Sequence, residues 1–375
     1  MNVPMWNSER IPWDPQANGG QTRSLVDPWG TSTTILYNAP PTPFSLDPNE
    51  FRYPSRIVNL LGYDPGWRTP YTAQWTLSIE REWARGVSIT TGYVANRGLG
   101  FFQVFDGNVP LWAPNATLGN AEMRRPIPGY GIVEILQART RSWHDSFQLS
   151  SNIRRFKGLV GRFTYVYGKS LAVEAEDRGQ GGNRPANPLN VDGEKGEFGN
   201  RHTMRAFAVY DIPLLNGSNS LAAKLLGNWQ VSGSFTAQSG NRLNVELGED
   251  WNLDLQPGDR PNVTGPISYT SGSDDQRMAQ FFDKSVFVNP AIRNTFGDLG
   301  RNALVGPGSW DTDFALLKNF PFQEGRFLQY RAEFYNLFNN NNLSNPNTNM
   351  RSADFGRILN RFGNRTMQMG IRFVF

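Results

Sequence analysis

The 375 residues contain two imidazoles, His144 and His202, and their surroundings bound the chemistry the chain could perform. His144 lies between Ser142 and Ser146, two positions either side, so all three share one face of an extended strand. A serine hydroxyl beside an imidazole is the start of a nucleophilic hydrolase. No acid partner is placed by the sequence, however, and the GxSxG elbow is absent. A polar histidine among hydroxyls is the favoured reading, and no catalytic residue is assigned. His202 stands in an Asn-Arg-His element and is read as structural. With no cysteine, thiol nucleophiles, disulfides and cysteine metal sites are excluded. Two isolated histidines cannot form the HExxH zinc signature either.

Other candidates are weaker. Acidic residues gather at Glu174, Glu176 and Asp177, and again at Glu249, Asp250, Asp254 and Asp259. Neither group has the spacing of a known calcium loop, so solvated acidic loops are expected and no metal site is assigned. The glycine-rich stretch at Gly179 lacks the Lys-Ser/Thr of a phosphate loop. Trp112, Tyr130 and Trp251 fall between predicted strands, beside Asn and Gly. Such rings could stack on a ligand or pack loops together, and packing is favoured. The net charge of +4 is evenly spread with no basic run, so nucleic acid is not an expected partner. Nothing in the sequence calls for a cofactor.

The elements that would hold these residues are strands. Period-two alternation runs through Tyr71–Trp83, Val87–Tyr93, Ser146–Arg154, Leu159–Tyr167, Trp229–Gln238, Leu328–Phe334 and Met367–Phe375. His202–Ile212 and Trp310–Phe320 alternate less cleanly, and Thr31–Tyr37 is a candidate tenth strand. Ser220–Trp229 is the one helical candidate. A soluble antiparallel sandwich would also alternate. Three features favour a transmembrane barrel instead. Connections alternate short and long, with Ala84–Gly86 and Lys157–Gly158 against Asn96–Ser142 and Gly248–Ser309, as in outer-membrane barrels. Aromatic residues such as Tyr71, Trp83, Trp143, Trp229, Trp310 and Phe320 mark strand ends in the apolar phase, where two interfaces would lie. The polar phase is rich in Thr, Ser, Gln and Asn, suiting a hydrated lumen. The expected fold is all-β: an antiparallel meander of about nine or ten long strands, part of a transmembrane outer-membrane β-barrel with long extracellular loops. Residues 1–70 would form an extracellular loop region, and 71–375 the barrel portion.

Several stretches together resemble the C-terminal barrel of TonB-dependent outer-membrane receptors. They are TPYTAQWTLSIERE, SFQLSSNIRRFKGLVGRFTYVYGKSL, GNRHTMRAFAVYDIPLLNG, GNWQVSGSFTAQSGNRLNV and FGDLGRNALVGPGSWDTDFALLKNFPF, followed by FLQYRAEFYNLFNNNNLSNPN and the terminal phenylalanine. The resemblance runs from about Asn38 to Phe375, and is strongest to the Oar-like branch with its carboxypeptidase-regulatory-like domain. It implies outer-membrane lipid, the barrel-assembly machinery and the TonB complex as partners, with an unidentified extracellular ligand. It also implies that Met367, Met369, Ile371, Phe373 and Phe375 form the strand read by the assembly machinery, with Gln368 and Arg372 in the lumen. Such receptors carry a signal peptide, a TonB box, a plug and a barrel of about 22 strands. None of the first three is found here. Nine crossings would also leave Pro70 outside the cell, so a C-terminal portion of a longer receptor is expected; with Thr31–Tyr37 as a tenth strand the alternative is a small complete barrel. The competing functions are a structural or adhesive surface protein and a hydrolase using His144 on the rim.

Overall fold

A computed structural model describes residues 58–375, apart from 67, 128–129, 174–186, 188–189, 215–219, 257, 294 and 324. The candidate strand Thr31–Tyr37, the first acidic group and the glycine-rich stretch lie outside the described residues. Ten strands of one sheet dominate: β1 (Val58–Tyr63), β2 (Tyr71–Ala84), β3 (Val87–Asp106), β4 (Tyr130–Phe156), β5 (Leu159–Ala172), β6 (His202–Ile212), β7 (Trp229–Gln238), β8 (Ser309–Gln323), β9 (Arg326–Tyr335) and β10 (Thr366–Val374). From β2 to β10 every strand pairs antiparallel with its neighbours in sequence, so the sheet is a pure meander. All nine alternating runs are strands of it. No pairing joins β2 to β10 among the described residues, which leaves two free edges.

Local chemistry sets the turns. The connections Arg85–Gly86 and Lys157–Gly158 need positive φ, supplied by Gly86 at 82°, Lys157 at 49° and Gly158 at 88°. A Cβ on Gly86 would meet the Arg154 carbonyl oxygen at 2.7 Å, so the close approach of two hairpins also requires glycine there. At the opposite end of the strands lie the long connections, 107–129, 173–201, 239–308 and 336–365. The helical candidate is present as α1 (Leu221–Leu226), capped by the Ser220 hydroxyl.

One expectation is corrected. The stretch Asn96–Ser142 is not all loop: β3 continues to Asp106 and β4 begins at Tyr130, with Asp106 opposite Glu134. A bulge between Leu99 and Phe102 breaks the alternation, so the period-two signal stops where the pairing does not. Above Ser142, where β5 ends, β4 would present unpaired backbone. There β1 takes over that edge in parallel, from Val58 opposite Tyr130 to Tyr63 opposite Leu136.

The hydrophobic core is not under the sheet. It lies in the long connections, where Val245, Phe281, Phe282, Phe287, Leu299, Leu304, Leu343, Phe355 and Ile358 form one buried cluster. Phe282, Phe287 and Phe355 meet edge to face at 5.4–5.9 Å. Each such pair adds about 0.5–1.5 kcal/mol beyond the area it buries. Backbone bonds from Phe281 to Gly356 and from Ile358 to Met278 tie the 239–308 and 336–365 connections into one folded cap.

Candidate functional site

Register assigns each strand from β2 to β10 a lipid-type face and a polar face. One row crosses Leu77, Tyr93, Phe147, Tyr167 and His202, and another crosses Phe314, Phe334 and Met367. In the first row Leu77, Tyr93, Phe147 and Tyr167 are exposed, Leu77 to 66%; in the second Met367 is exposed while Phe314 and Phe334 are half-buried. The opposite face holds Ser146, 2% accessible, with Gln148 and His144. This inverts the arrangement of a soluble sheet, which buries its apolar phase.

The ends of the apolar face are chemically marked. Along β6, His202 to Ile212 is ten steps of about 3.3 Å, which at a tilt of about 40–45° covers about 25 Å, the height of an outer-membrane apolar band. Just beyond the His202 row, on the same face, Arg97 grips Asp145 through two bonds of 2.8 and 2.9 Å, and the Tyr93 hydroxyl donates to the same carboxylate at 2.6 Å. Charge on this face therefore begins where the band ends. At the short-turn end, the Lys318 ammonium donates to the Gly227 carbonyl that ends α1. It also lies 5.4 Å above the Trp229 ring and 5.0 Å above Phe320. Its stem is covered and its charge is held at the boundary, as a long cationic side chain at a membrane interface requires.

The last strand shows the same face most openly. Met367, Met369, Ile371, Phe373 and Phe375 are all exposed, Phe375 to 90%. Phe322, Phe373 and Phe375 stack in sequence at 5.4 and 5.9 Å. Gln368 and Arg372 stand in register with Glu333 and Gln329 on the polar face.

Trp112, Tyr130 and Trp251 are separate rings whose backbones converge. Asp106, Asn108, Arg125 and Gln256 form a buried polar knot at the base of the 107–129 connection. Arg125 donates to Asp106 at 3.2 Å and to the Asn108 carbonyl at 2.6 Å. The Asn108 amide donates to the Tyr130 carbonyl at 3.0 Å. Arg124 reaches the Leu111 carbonyl beside Trp112 and the Leu253 carbonyl near Trp251, at 2.5 and 2.6 Å. Of the three rings Trp112 is exposed, whereas Tyr130 opens β4 and Trp251 is partly covered beneath the Arg293 guanidinium at 4.7 Å. A second staple, Arg260 bidentate to Glu194 at 2.6 and 2.7 Å, ties the 173–201 connection to the cap. Sequence reasoning missed both, because their partners are up to 150 residues apart.

The second acidic group is not a solvated loop. Asp254 and Asp259 are buried, Asp254 bonded to Asn252 and Asp259 accepting from the Trp251 and Asn252 amides. Burial, reinforced by neighbouring carboxylates, pushes Asp254 up to about 7 and Asp259 up to about 6. His144 lies on the polar face, with Nδ1 2.8 Å from the Ser170 hydroxyl and Nε2 3.1 Å from Ser146. Its orienting group is a hydroxyl rather than a carboxylate, Ser142 is not its partner, and the Ser146 hydroxyl is sealed from solvent. No group of three or more metal-ligating side chains occurs among the described residues.

An apolar outer face, a polar inner face and long connections at one end define the wall of an outer-membrane β-barrel. The chain belongs to the outer membrane beta barrel domain family, whose profile matches residues 2–368, and its location is the outer membrane. Three solved structures are similar to parts of the chain. The outer membrane transporter YddB from Escherichia coli is 10% identical with TM-score 0.42, covering 86% of this chain and 34% of its own. The FrpB iron transporter from Neisseria meningitidis is 10% identical with TM-score 0.39, covering 84% and 33%. The ferric-catecholate import receptor Fiu from Escherichia coli K12 is 9% identical with TM-score 0.24, covering 82% and 42%. The chain thus spans about a third of the length of the first two. No curated protein matches it.

Proposed function

We propose that the chain is the wall and external cap of a TonB-dependent receptor of the Oar-like branch, taking part in ligand reception and energised uptake. The observation that carries this is the pairing of a lipid-type outer face with a folded cap over the same end of the strands. In this reading residues 71–375 form the C-terminal barrel portion and residues 1–70 lead into it from an extracellular loop. An unidentified extracellular ligand meets the cap near Trp112, and the TonB complex acts through a region N-terminal to the barrel. The barrel-assembly machinery reads Met367 to Phe375. No step uses a catalytic residue.

Cells with and without the protein, grown on limiting iron chelates, peptides, cobalamins or glycans, test this reading. It expects slower growth on one source, with the same loss when the proton gradient is collapsed. Unchanged growth on every source, with the cap intact at the cell surface, would favour the adhesive reading. That reading has one observation in its favour: the cap is held rigidly by its own core.

A further inference from the structure

The 107–129 connection carries apolar side chains that no other described residue covers. Leu111, Trp112, Leu118, Met123 and Ile127 are all exposed, and between Leu111 and Ile127 the one exposed charge is Glu122. Met123 is 87% accessible. The loop that presents them is nevertheless ordered by its own bonds. Leu118–Arg124 is a short 3-10 helix closed by reciprocal bonds between Thr117 and Asn120. The Leu111 amide donates to the Arg124 carbonyl at 3.0 Å, which sets Leu111 and Trp112 beside Met123. Near the end of the connection the Asn108 side chain accepts from the Ile127 amide at 2.7 Å and donates to its carbonyl at 3.1 Å. A fixed loop that shows a contiguous apolar surface to water is a contact surface.

Where β1 begins indicates the partner. β1 runs parallel to β4, with Val58 opposite Tyr130 and Tyr63 opposite Leu136. That direction brings the chain to Val58 from beyond Tyr130, the side on which the 107–129 connection ends. The Asn108 amide that holds Ile127 also donates to the Tyr130 and Gly131 carbonyls at 3.0 Å, so Ile127 and the Val58 pairing share one anchor. Met123 and Ile127 are within seven residues of Tyr130, hence no farther from it than about 25 Å. Phe51 and Tyr53 precede Val58 by seven and five positions, so their reach is the same. A group tethered at that span is presented at an effective concentration on the order of millimolar, which a free partner must exceed to compete.

We propose that the stretch Phe51–Tyr53 packs on Met123 and Ile127, so that the chain's own N-terminal part closes the apolar side of the 107–129 connection. Arg124 and Arg125 hold the connection from within, and the two rings cover it from without. Trp112 is left open to a ligand. This contact does not depend on what the barrel transports, and an adhesive wall would carry it equally.

Met123 reports the contact, because oxidation of a thioether follows its exposure. The full chain in outer-membrane vesicles is treated with dilute hydrogen peroxide. Met123 sulfoxide is followed by peptide mass spectrometry against a synthetic peptide of residues 118–127. In the wild type Met123 should oxidise about tenfold more slowly than in the peptide, the ratio between 87% accessibility without the cover and that of a buried side chain. Phe51→Ser with Tyr53→Ser should bring it to the peptide's rate. The chain has no cysteine, which permits a second measurement should that variant not assemble: Tyr53→Cys with Ile127→Cys should be joined within one chain by a short bismaleimide. Oxidation of wild-type Met123 at the peptide's rate would overturn the proposal. So would protection that survives the serine variant, or a shielded Met123 without the cross-link, since each assigns the cover to a second copy or another protein.

Discussion

Replacing Glu194 by alanine strips the buried Arg260 guanidinium of its carboxylate. The two side chains are 2% and 9% accessible, and the remaining bond runs from Arg260 Nε to the Leu299 carbonyl at 2.9 Å. Removing one partner of such a pair costs about 3–5 kcal/mol, because a desolvated charge is left behind. At about 1.4 kcal/mol per tenfold, opening of the cap should rise between about a hundredfold and a few thousandfold. The amides that report this flank Arg260: Leu247, donating to the Asp259 carbonyl at 2.8 Å, and Leu299, donating to Pro261 at 3.1 Å. Hydrogen exchange at these two amides should accelerate by that factor. Amides in the middle of the β6–β7 ladder should not change, since the staple joins two connections beyond the strand ends. Glu194→Met with Arg260→Leu removes both charges and should restore most of the protection. Exchange in the single variant within twofold of wild type would refute the view that this pair holds the cap together.

Two further outcomes follow from the acidic loop and the last strand. Asp254 has its proton affinity raised from 3.8 to about 7, so the folded cap binds a proton that the unfolded chain releases. Its stabilising contribution is complete below about pH 4 and is lost as pH rises through about 7. Protease nicking of 239–308 should therefore increase between pH 5 and pH 8, and Asp254→Asn should flatten that slope; an unchanged slope would reject it. Deleting Phe375 should lower the protein's level in the outer membrane more than its resistance to heat, and equal levels would make it only a boundary ring.

The barrel strands were legible because lipid on one side and water on the other impose strict alternation, as in Tyr71–Trp83 and Met367–Phe375. That signal fails where the sheet leaves the membrane. From Phe102 to Asp106 and from Glu134 to Arg141, backbone pairing continues without any solvent contrast to pattern the side chains. The cap was illegible for a different reason. Its core residues, such as Val245, Leu304 and Phe355, come from distant turns in Gly-, Pro- and Asn-rich sequence and follow no short period. Asp254 read as solvated because the groups that bury it lie elsewhere in the chain. His144 could be placed on the polar face from alternation alone, but its bond to Ser170 required the β4–β5 register.

The central claim is that the odd-numbered side chains from Phe147 to Ile153 of β4 and from Leu159 to Tyr167 of β5 face lipid while their neighbours face water. The chain has no cysteine, so single cysteines can be placed without background. Nitroxide labels at residues 147 to 151 of β4 and 163 to 167 of β5, in outer-membrane vesicles, measure this directly. Collisions with oxygen should dominate at Phe147, Leu149, Tyr165 and Tyr167, and collisions with a water-soluble nickel chelate at Gln148, Ser150 and Thr164. Accessibility without a two-residue period, or with the two phases exchanged, would contradict the account.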